Sequence, residues 1–119
     1  MTETIIDADA IDFALELVGH KIVSLTNEQI ILDNGTILLM HGTAGCCAYF
    51  DVVGTHAEAG IADNIITAVK TSNLNDSEYD DGFRLHILAE ATELGYIDID
   101  GTASSGYYCH SIDLEVRRA

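Results

Sequence analysis

The chain has 119 residues, of which 48% are hydrophobic and 21% charged, and it contains no proline. This length and composition are typical of one globular domain, so we expect a single domain over residues 1–119. Twenty acidic residues against five basic ones give a formal charge of −15. Such a charge argues against direct nucleic-acid or membrane binding and favours a basic partner, although solubility alone would also explain it.

The cysteine count and the N-terminal sequence predict a cytoplasmic protein. Three cysteines are an odd number, which implies no disulfide framework. The longest apolar runs, such as residues 36–40, are too short to cross a bilayer. Asp7, Asp9 and Asp12 interrupt the region in which a signal peptide needs an apolar stretch.

The first predicted element is a short amphipathic helix. We expect residues 1–8 to be frayed and residues 9–20 to be helical, with Asp9 as N-cap and Gly19 at the C-terminal end. The apolar residues at helical spacing are Ile11, Ala14, Leu15 and Val18.

The pattern then changes to short β-branched and aliphatic runs joined by tight turns. A three-stranded meander is predicted at residues 21–26, 29–32 and 36–41. The following segments predict a strand at 46–53, a short helix at 55–63, a strand at 64–71 and a mobile acidic loop at 72–82.

The last third alternates between apolar and polar residues. Residues 83–91, 96–101 and 107–116 each place aliphatic side chains on one face and polar side chains on the other. We interpret them as three successive strands of one antiparallel sheet with a wet face. The predicted fold class is α+β, a mainly antiparallel meandering sheet of about six or seven strands with one or two short helices packed on it.

The cysteines and histidines do not form a recognisable metal motif. Adjacent residues of a strand point to opposite faces, which separates Cys46 from Cys47 and Cys109 from His110. The acidic segments 76–82 and 98–101 lack residues that an EF-hand requires. Catalytic and nucleotide-binding motifs are also missing, so we expect a noncatalytic protein without cofactor or metal.

The turn near residues 102–105 suggests a binding surface. If it closes a hairpin, Tyr107 and Cys109 lie on the same solvent-facing side as Asp98 and Asp100, and such aromatic and polar groups suit a partner or a small polar ligand. An ordinary turn and strand is the alternative. The predicted binding residues are Cys47, Ser104, Ser105, Gly106, Tyr107, Cys109, Asp98, Asp100 and Arg84.

Three separated motifs carry a family resemblance. They are "LVGHKI" (17–22), "CC" with "DVVG" (46–47 and 51–54) and "SSGYYC" (104–109). Together they resemble small uncharacterised actinobacteriophage proteins of the mycobacteriophage type, with Cys-Cys and Ser-Asn-Gly-Tyr-Tyr-Ser hallmarks. Ser105 and Cys109 stand where that pattern has asparagine and serine. The resemblance implies a phage accessory protein in the cytoplasm of an infected bacterium.

Three functional hypotheses follow. The first is a noncatalytic protein that binds and sequesters a host or immune factor, including a small nucleotide-type signal, either alone or as a homo-oligomer. The second is an acidic, DNA-mimic-like inhibitor of a basic host or defence protein, with Asp98/Asp100 and Asp113/Glu115 as carboxylate rows. The third is a thiol- or metal-dependent enzyme, in which Cys46→Ser or Cys47→Ser would abolish function without loss of thermal stability.

Overall fold

The computed structural model describes residues 2–44, 48–73, 82–103 and 112–118. Within these residues the chain forms one α-helix, one short 3-10 helix and ten strands. In chain order they are β1 (Thr2–Ala8), α1 (Ala10–Leu17), β2 (Ile22–Leu25), β3 (Gln29–Leu32), β4 (Ile37–His41), β5 (Thr43–Ala44), β6 (Ala48–Ala57), the 3-10 helix (Ile61–Asp63), β7 (Ala68–Asn73), β8 (Phe83–Ala89), β9 (Thr92–Ala103) and β10 (Ile112–Arg118).

The strands form two five-stranded sheets in which every pairing is antiparallel. Sheet A has the order β1-β10-β4-β3-β2, and sheet B has the order β5-β6-β9-β8-β7. The predicted α+β class with a mainly antiparallel meandering sheet is therefore confirmed. The strands are divided between two sheets rather than gathered in the single sheet expected from the sequence.

Helix α1 has the predicted N-cap and ends at Leu17, three residues before the end of the predicted segment 9–20. Asp9 is the N-cap and forms a reciprocal capping box with Asp12, which satisfies two backbone N–H groups at the helix start. After the C-cap Val18, Gly19 takes a φ of 91°, a left-handed conformation that glycine adopts without the Cβ penalty.

The face of α1 that packs on the core differs from the prediction. The buried residues are Phe13 and Leu17, whereas Ile11 is 70% exposed and Leu15 is 77% exposed. The helix is apolar on two opposed sides, so apolar spacing alone could not show which side packs. The larger aromatic ring of Phe13 lies inside.

Residues 2–8 form a strand, where the sequence predicted a frayed segment. Strand β1 pairs along its whole length with β10, from Thr2 opposite Arg118 to Ala8 opposite Ile112. The segment Thr4–Ile6 is β-branched, which suits a strand, and the acidic residues around it obscured that signal.

The middle of the chain confirms the meander and corrects two neighbouring elements. Strands β2, β3 and β4 pair in sequence order. Residues 55–57, predicted as the start of a helix, continue β6, and the helical part is confined to the 3-10 helix. Strand β7 begins at Ala68 and extends through Asn73, so residues 72–73 belong to a strand rather than to the predicted loop. Residues 74–81 of that loop lie outside the described residues.

The terminal strands have the predicted faces, but they do not form the predicted sheet. Leu85, Ile97 and Leu114 point inward as their alternation requires. Strand β8 pairs with β9, whereas the described part of β10 pairs with β1 and β4 in the other sheet. The prediction that β8, β9 and β10 share one sheet is therefore wrong for residues 112–118, because alternation predicts which face is buried but not which strand lies alongside. Residues 104–111, which include most of the conditional hairpin, lie outside the described residues.

Both sheets and α1 contribute to one hydrophobic cluster. Sheet A contributes residues such as Ile30 and Leu38, sheet B contributes Leu85 and Ile97, and α1 contributes Phe13. The chain passes from sheet A to sheet B at Gly42, between β4 and β5. A Cβ at this position would lie 2.9 Å from the carboxyl carbon of Asp51, so a larger residue would require the Asp51 side chain to move.

In the described residues, no helix is long and apolar enough to cross a membrane. Helix α1 has eight residues, whereas a transmembrane helix needs about 20.

Candidate functional site

The side of sheet B that faces away from the core carries three aligned rows of mostly polar side chains. We call this surface the sheet-B polar face. The register places Lys70, His86, Tyr96 and His56 in one row, Ser72, Arg84, Asp98 and Gly54 in the next, and Asp100 opposite Asp51 in the third. Residues paired in this way across neighbouring strands lie on the same side of a sheet and contact one another.

A β-bulge in β6 determines which residues reach this face. Val52 pairs with Ile99 and Gly54 pairs with Asp98, so Val53 is an extra residue with no partner in β9. The extra residue reverses the alternation after Asp51, and it brings Gly54 and His56 to the polar side. Without it, His56 would point to the opposite side of the sheet.

Arg84 lies at the centre of the face and is held from two directions. Its Nε donates to Asp98 Oδ1 at 2.6 Å, and its Nη2 donates to Asp98 Oδ2 at 3.0 Å. The guanidinium carbon also lies 3.8 Å from the centroid of the Tyr96 ring, a cation–π contact. The hydrogen bond to Asp98 raises the pKa of Arg84 and outweighs the lowering caused by burial. Arg84 is therefore charged, and its guanidinium is already bound to Asp98.

Tyr96 connects Arg84 to His56. The rings of His56 and Tyr96 stack, with centroids 5.3 Å apart and an interplanar angle of 28°. His56 Nε2 also lies 2.9 Å from a carboxylate oxygen of Glu58. The tyrosine ring is thus packed between a guanidinium and an imidazole, which restricts its rotamers in the free protein.

His86 forms the other arm of the network. Its Nδ1 is hydrogen-bonded to Glu93, and its Nε2 lies 2.8 Å from the hydroxyl of Ser72. Both ring nitrogens are therefore occupied by neighbours from β7 and β9. Together with the contacts of Tyr96, these bonds link side chains across four strands.

One part of the face has an unfavourable charge arrangement. Asp51 and Asp100 occupy directly opposite positions of β6 and β9. Like charges at such positions destabilise a sheet. One oxygen of Asp51 accepts a hydrogen bond from the backbone N–H of Val52 at 2.8 Å, which fixes the carboxylate near its own strand.

The structure brings together three of the residues singled out from the sequence. Arg84, Asp98 and Asp100 all lie on the sheet-B polar face. The remaining predicted binding residues lie outside the described residues: Cys47, Ser104, Ser105, Gly106, Tyr107 and Cys109. The two carboxylate rows do not share a sheet, because Asp98/Asp100 belong to sheet B and Asp113/Glu115 belong to sheet A.

Sequence reasoning missed the aromatic and histidine parts of the network. Tyr96 has the same strand parity as Asp98, a signal that was present but unused. His86 has the same strand parity as Arg84, whereas no sequence pattern identified its partner Glu93. His56 was placed in a helix, and only the bulge at Val53 explains its position.

A second concave feature lies near the C-terminal end of α1. We call it the Lys21 cleft; it has a volume of about 510 Å³, and its polar lining includes Lys21, Asp63, Asn64, Thr67, Glu90 and Thr92. Among the described residues, none forms an ion pair with Lys21. Within the same residues, no group of three histidine, cysteine or acidic side chains is arranged to hold a metal.

Comparison with known protein families assigns most of the chain to one domain family. Residues 15–114 match the family described as a domain of unknown function, DUF7448. The match covers most of the chain, which therefore belongs to the DUF7448 family. No curated protein and no solved structure gives a significant match.

Proposed function

We propose that this protein is a noncatalytic phage accessory protein that binds and sequesters a host or immune factor in the cytoplasm of an infected bacterium. The three sequence motifs that resemble actinobacteriophage proteins support the phage setting. The sheet-B polar face supports binding, because tyrosine and arginine held in fixed positions are the side chains that most often dominate interfaces.

The face carries three carboxylates against the two cations Lys70 and Arg84, and this excess of negative charge favours a basic protein as the factor. The observation that carries this choice is the double engagement of Arg84 by Asp98, because it leaves the cation little capacity for an anionic ligand. Asp51 and Asp100 lie beside this pair, and the whole chain has a formal charge of −15. A basic, DNA-binding host or defence protein fits this surface. Since the two carboxylate rows lie on different sheets, the proposal rests on the local charge of the sheet-B polar face and not on a copy of DNA geometry.

Affinity capture from an actinobacterial lysate tests this proposal. The immobilised protein is expected to retain a basic protein at low salt and to release it steeply as salt rises. The variant Asp51→Asn/Asp100→Asn should retain less of it, because two carboxylates of the face are lost.

The matched control is Glu28→Gln/Asp63→Asn, which removes the same charge from exposed positions outside the face. Retention that is insensitive to salt would contradict the proposal. Equal loss in both double variants would show that only net charge matters and not the sheet-B polar face.

The Lys21 cleft favours a second candidate function, the capture of a small nucleotide-type signal. Its volume of about 510 Å³ lies within the range of small-molecule sites, and Lys21 supplies a cation for a phosphate. Calorimetry against a panel of mononucleotides and cyclic dinucleotides tests it. Heat that disappears in Lys21→Met but persists in Lys70→Met would support this candidate, and no heat with any member of the panel would reject it.

A further inference from the structure

Helix α1 has an apolar stripe that the core does not use. Ile11, Leu15 and Val18 are spaced by four and three residues, which places them along one side of a helix and its C-cap. Their exposed fractions are 70%, 77% and 42%. The core takes the opposite side of α1, through Phe13 and Leu17. We call Ile11, Leu15 and Val18 the α1 stripe.

Backbone hydrogen bonds hold the segment that follows α1 in place. Gly19 donates its N–H to the carbonyl of Ile66 at 2.9 Å, and Ile66 donates back to His20 at the same distance. These bonds hold the segment that contains Ile65 beside the chain that leaves α1. Ile65 is 52% exposed and lines the Lys21 cleft next to this segment. A row of exposed aliphatic side chains such as the α1 stripe is a feature of interaction sites, whereas single exposed aliphatic residues are common on protein surfaces.

The charged residues of α1 are acidic, whereas Lys21 lies beyond its C-terminal end, at the cleft that Ile65 also lines. Asp12 is in the first turn of α1 and Glu16 is one turn further on, while the last turn carries no basic residue. Glu16 is paired with Arg118 at 2.8 Å. Within the described residues, neither Asp9 nor Asp12 has a lysine or arginine partner, since their carboxylates cap backbone N–H groups instead. The negative end of the helix dipole adds to this potential near Val18.

We propose that the α1 stripe is the docking surface for a basic amphipathic helix of a partner protein. An aliphatic face of such a helix would pack on Ile11 and Leu15, and its flanking lysines or arginines would meet Asp9 and Asp12. This surface is separate from the sheet-B polar face, so the inference goes beyond the proposed function.

A second copy of the chain fits the stripe less well. Two copies would each carry a formal charge of −15, and the acidic residues flanking one stripe would face those of the other. An eight-residue helix is also about 12 Å long, too short to supply the ~800 Å² per partner of a stable interface by itself. A single basic helical segment needs a smaller contact area than a stable dimer. It gains both from the aliphatic contacts and from the opposite charge.

Fluorescence anisotropy with a labelled synthetic peptide tests the inference. The probe is a short helical peptide with leucines at i, i+4 and i+7 and lysines on both flanks. It should bind the full-length protein, and Ile11→Gln/Leu15→Gln should weaken binding by at least about tenfold, because both apolar contacts are lost. Glutamine is a good helix former, so this variant should keep α1.

Three controls make the result decisive. Val23→Thr/Val53→Thr removes exposed aliphatic groups from β2 and β6, and it should bind the peptide like the parent protein. A peptide with glutamates in place of the lysines, and one with serines in place of the leucines, should both bind at least about tenfold more weakly.

Equal binding of the leucine and serine peptides would overturn the inference, because it would reduce the interaction to charge alone. So would unchanged binding in Ile11→Gln/Leu15→Gln. Sedimentation equilibrium tests whether a second copy of the chain occupies the stripe. A dimer that dissociates in Ile11→Gln/Leu15→Gln would overturn the inference and assign the stripe to a second copy. None of these measurements uses the sheet-B polar face, so their failure leaves the proposed function standing.

Discussion

The sheet-B polar face and the α1 stripe are both accessible to solvent, but the side chains of the first have partners within the protein and those of the second extend into solvent. On the sheet-B polar face, Arg84 and His86 already have partners within the protein. On the α1 stripe, Ile11 and Leu15 extend largely into solvent. The first surface therefore contributes to the stability of the fold, whereas the second does not.

This difference gives each surface its own mutational signature. A group that is partnered in the free protein contributes to stability, so removing it changes both the fold and any interaction through it. A group without a partner can be replaced at little cost to the fold, and the change then affects only association. Stability and binding measured on the same variants can therefore separate the two surfaces.

The largest effect is expected beneath the α1 stripe. Phe13 lies on the core side of α1 and is 0% exposed. Phe13→Ala leaves a cavity among the residues of both sheets, and it should lower the free energy of unfolding by about 3–5 kcal/mol. Urea denaturation measures this change. A loss below about 1 kcal/mol would mean that α1 does not pack through Phe13.

The next largest effect is expected at the centre of the sheet-B polar face. Asp98→Ala leaves Arg84 over the Tyr96 ring without its carboxylate partner, which should lower stability by about 1–2 kcal/mol. Asp113→Ala on β10 is the matched control. Among the described residues, none forms a hydrogen bond or ion pair with the Asp113 side chain. Equal losses of stability in the two variants would show that the Arg84–Asp98 pair does not stabilise the fold.

A smaller change of opposite sign is expected at the third row of the face. Asp51→Asn removes one of two facing carboxylates while its side-chain oxygen can still accept from Val52. Stability should rise by about 0.5 kcal/mol, and capture of the basic partner should fall. Thermal denaturation gives the first quantity and the capture experiment gives the second. A loss of stability would show that the facing carboxylates do not repel each other in the folded protein.

The smallest effect on stability is expected at the α1 stripe itself. Leu15 is 77% exposed, so Leu15→Gln should change the free energy of unfolding by less than about 0.5 kcal/mol. The same urea titration used for Phe13→Ala measures it. A loss above about 1 kcal/mol would place Leu15 in a packed environment and remove it from the docking surface.

Local patterns in the sequence predicted much of the fold. Asp9 and Gly19 marked the ends of α1, and alternation correctly gave the inward direction of Leu85, Ile97 and Leu114. These features depend on a few neighbouring residues, through capping, backbone conformation and strand pleating.

Features that depend on distant parts of the chain could not be predicted in this way. The partners of β10 and the packing side of α1 are decided by which apolar surfaces meet in three dimensions. The sheet-B polar face combines features that depend on neighbouring residues with features that depend on distant parts of the chain. Arg84, Asp98 and Asp100 followed from alternation, whereas His56 reached the face through the bulge at Val53.

Imidazole NMR provides the most direct test of the claim that the sheet-B polar face binds the partner. His56 and His86 lie on this face, while His20 and His41 lie elsewhere, beside Asp33 and Glu115. When the captured basic protein is added to ¹⁵N-labelled protein, we expect the ring nitrogen signals of His56 and His86 to shift and those of His20 and His41 to stay. Shifts at His20 or His41 with none at His56 and His86 would contradict the account.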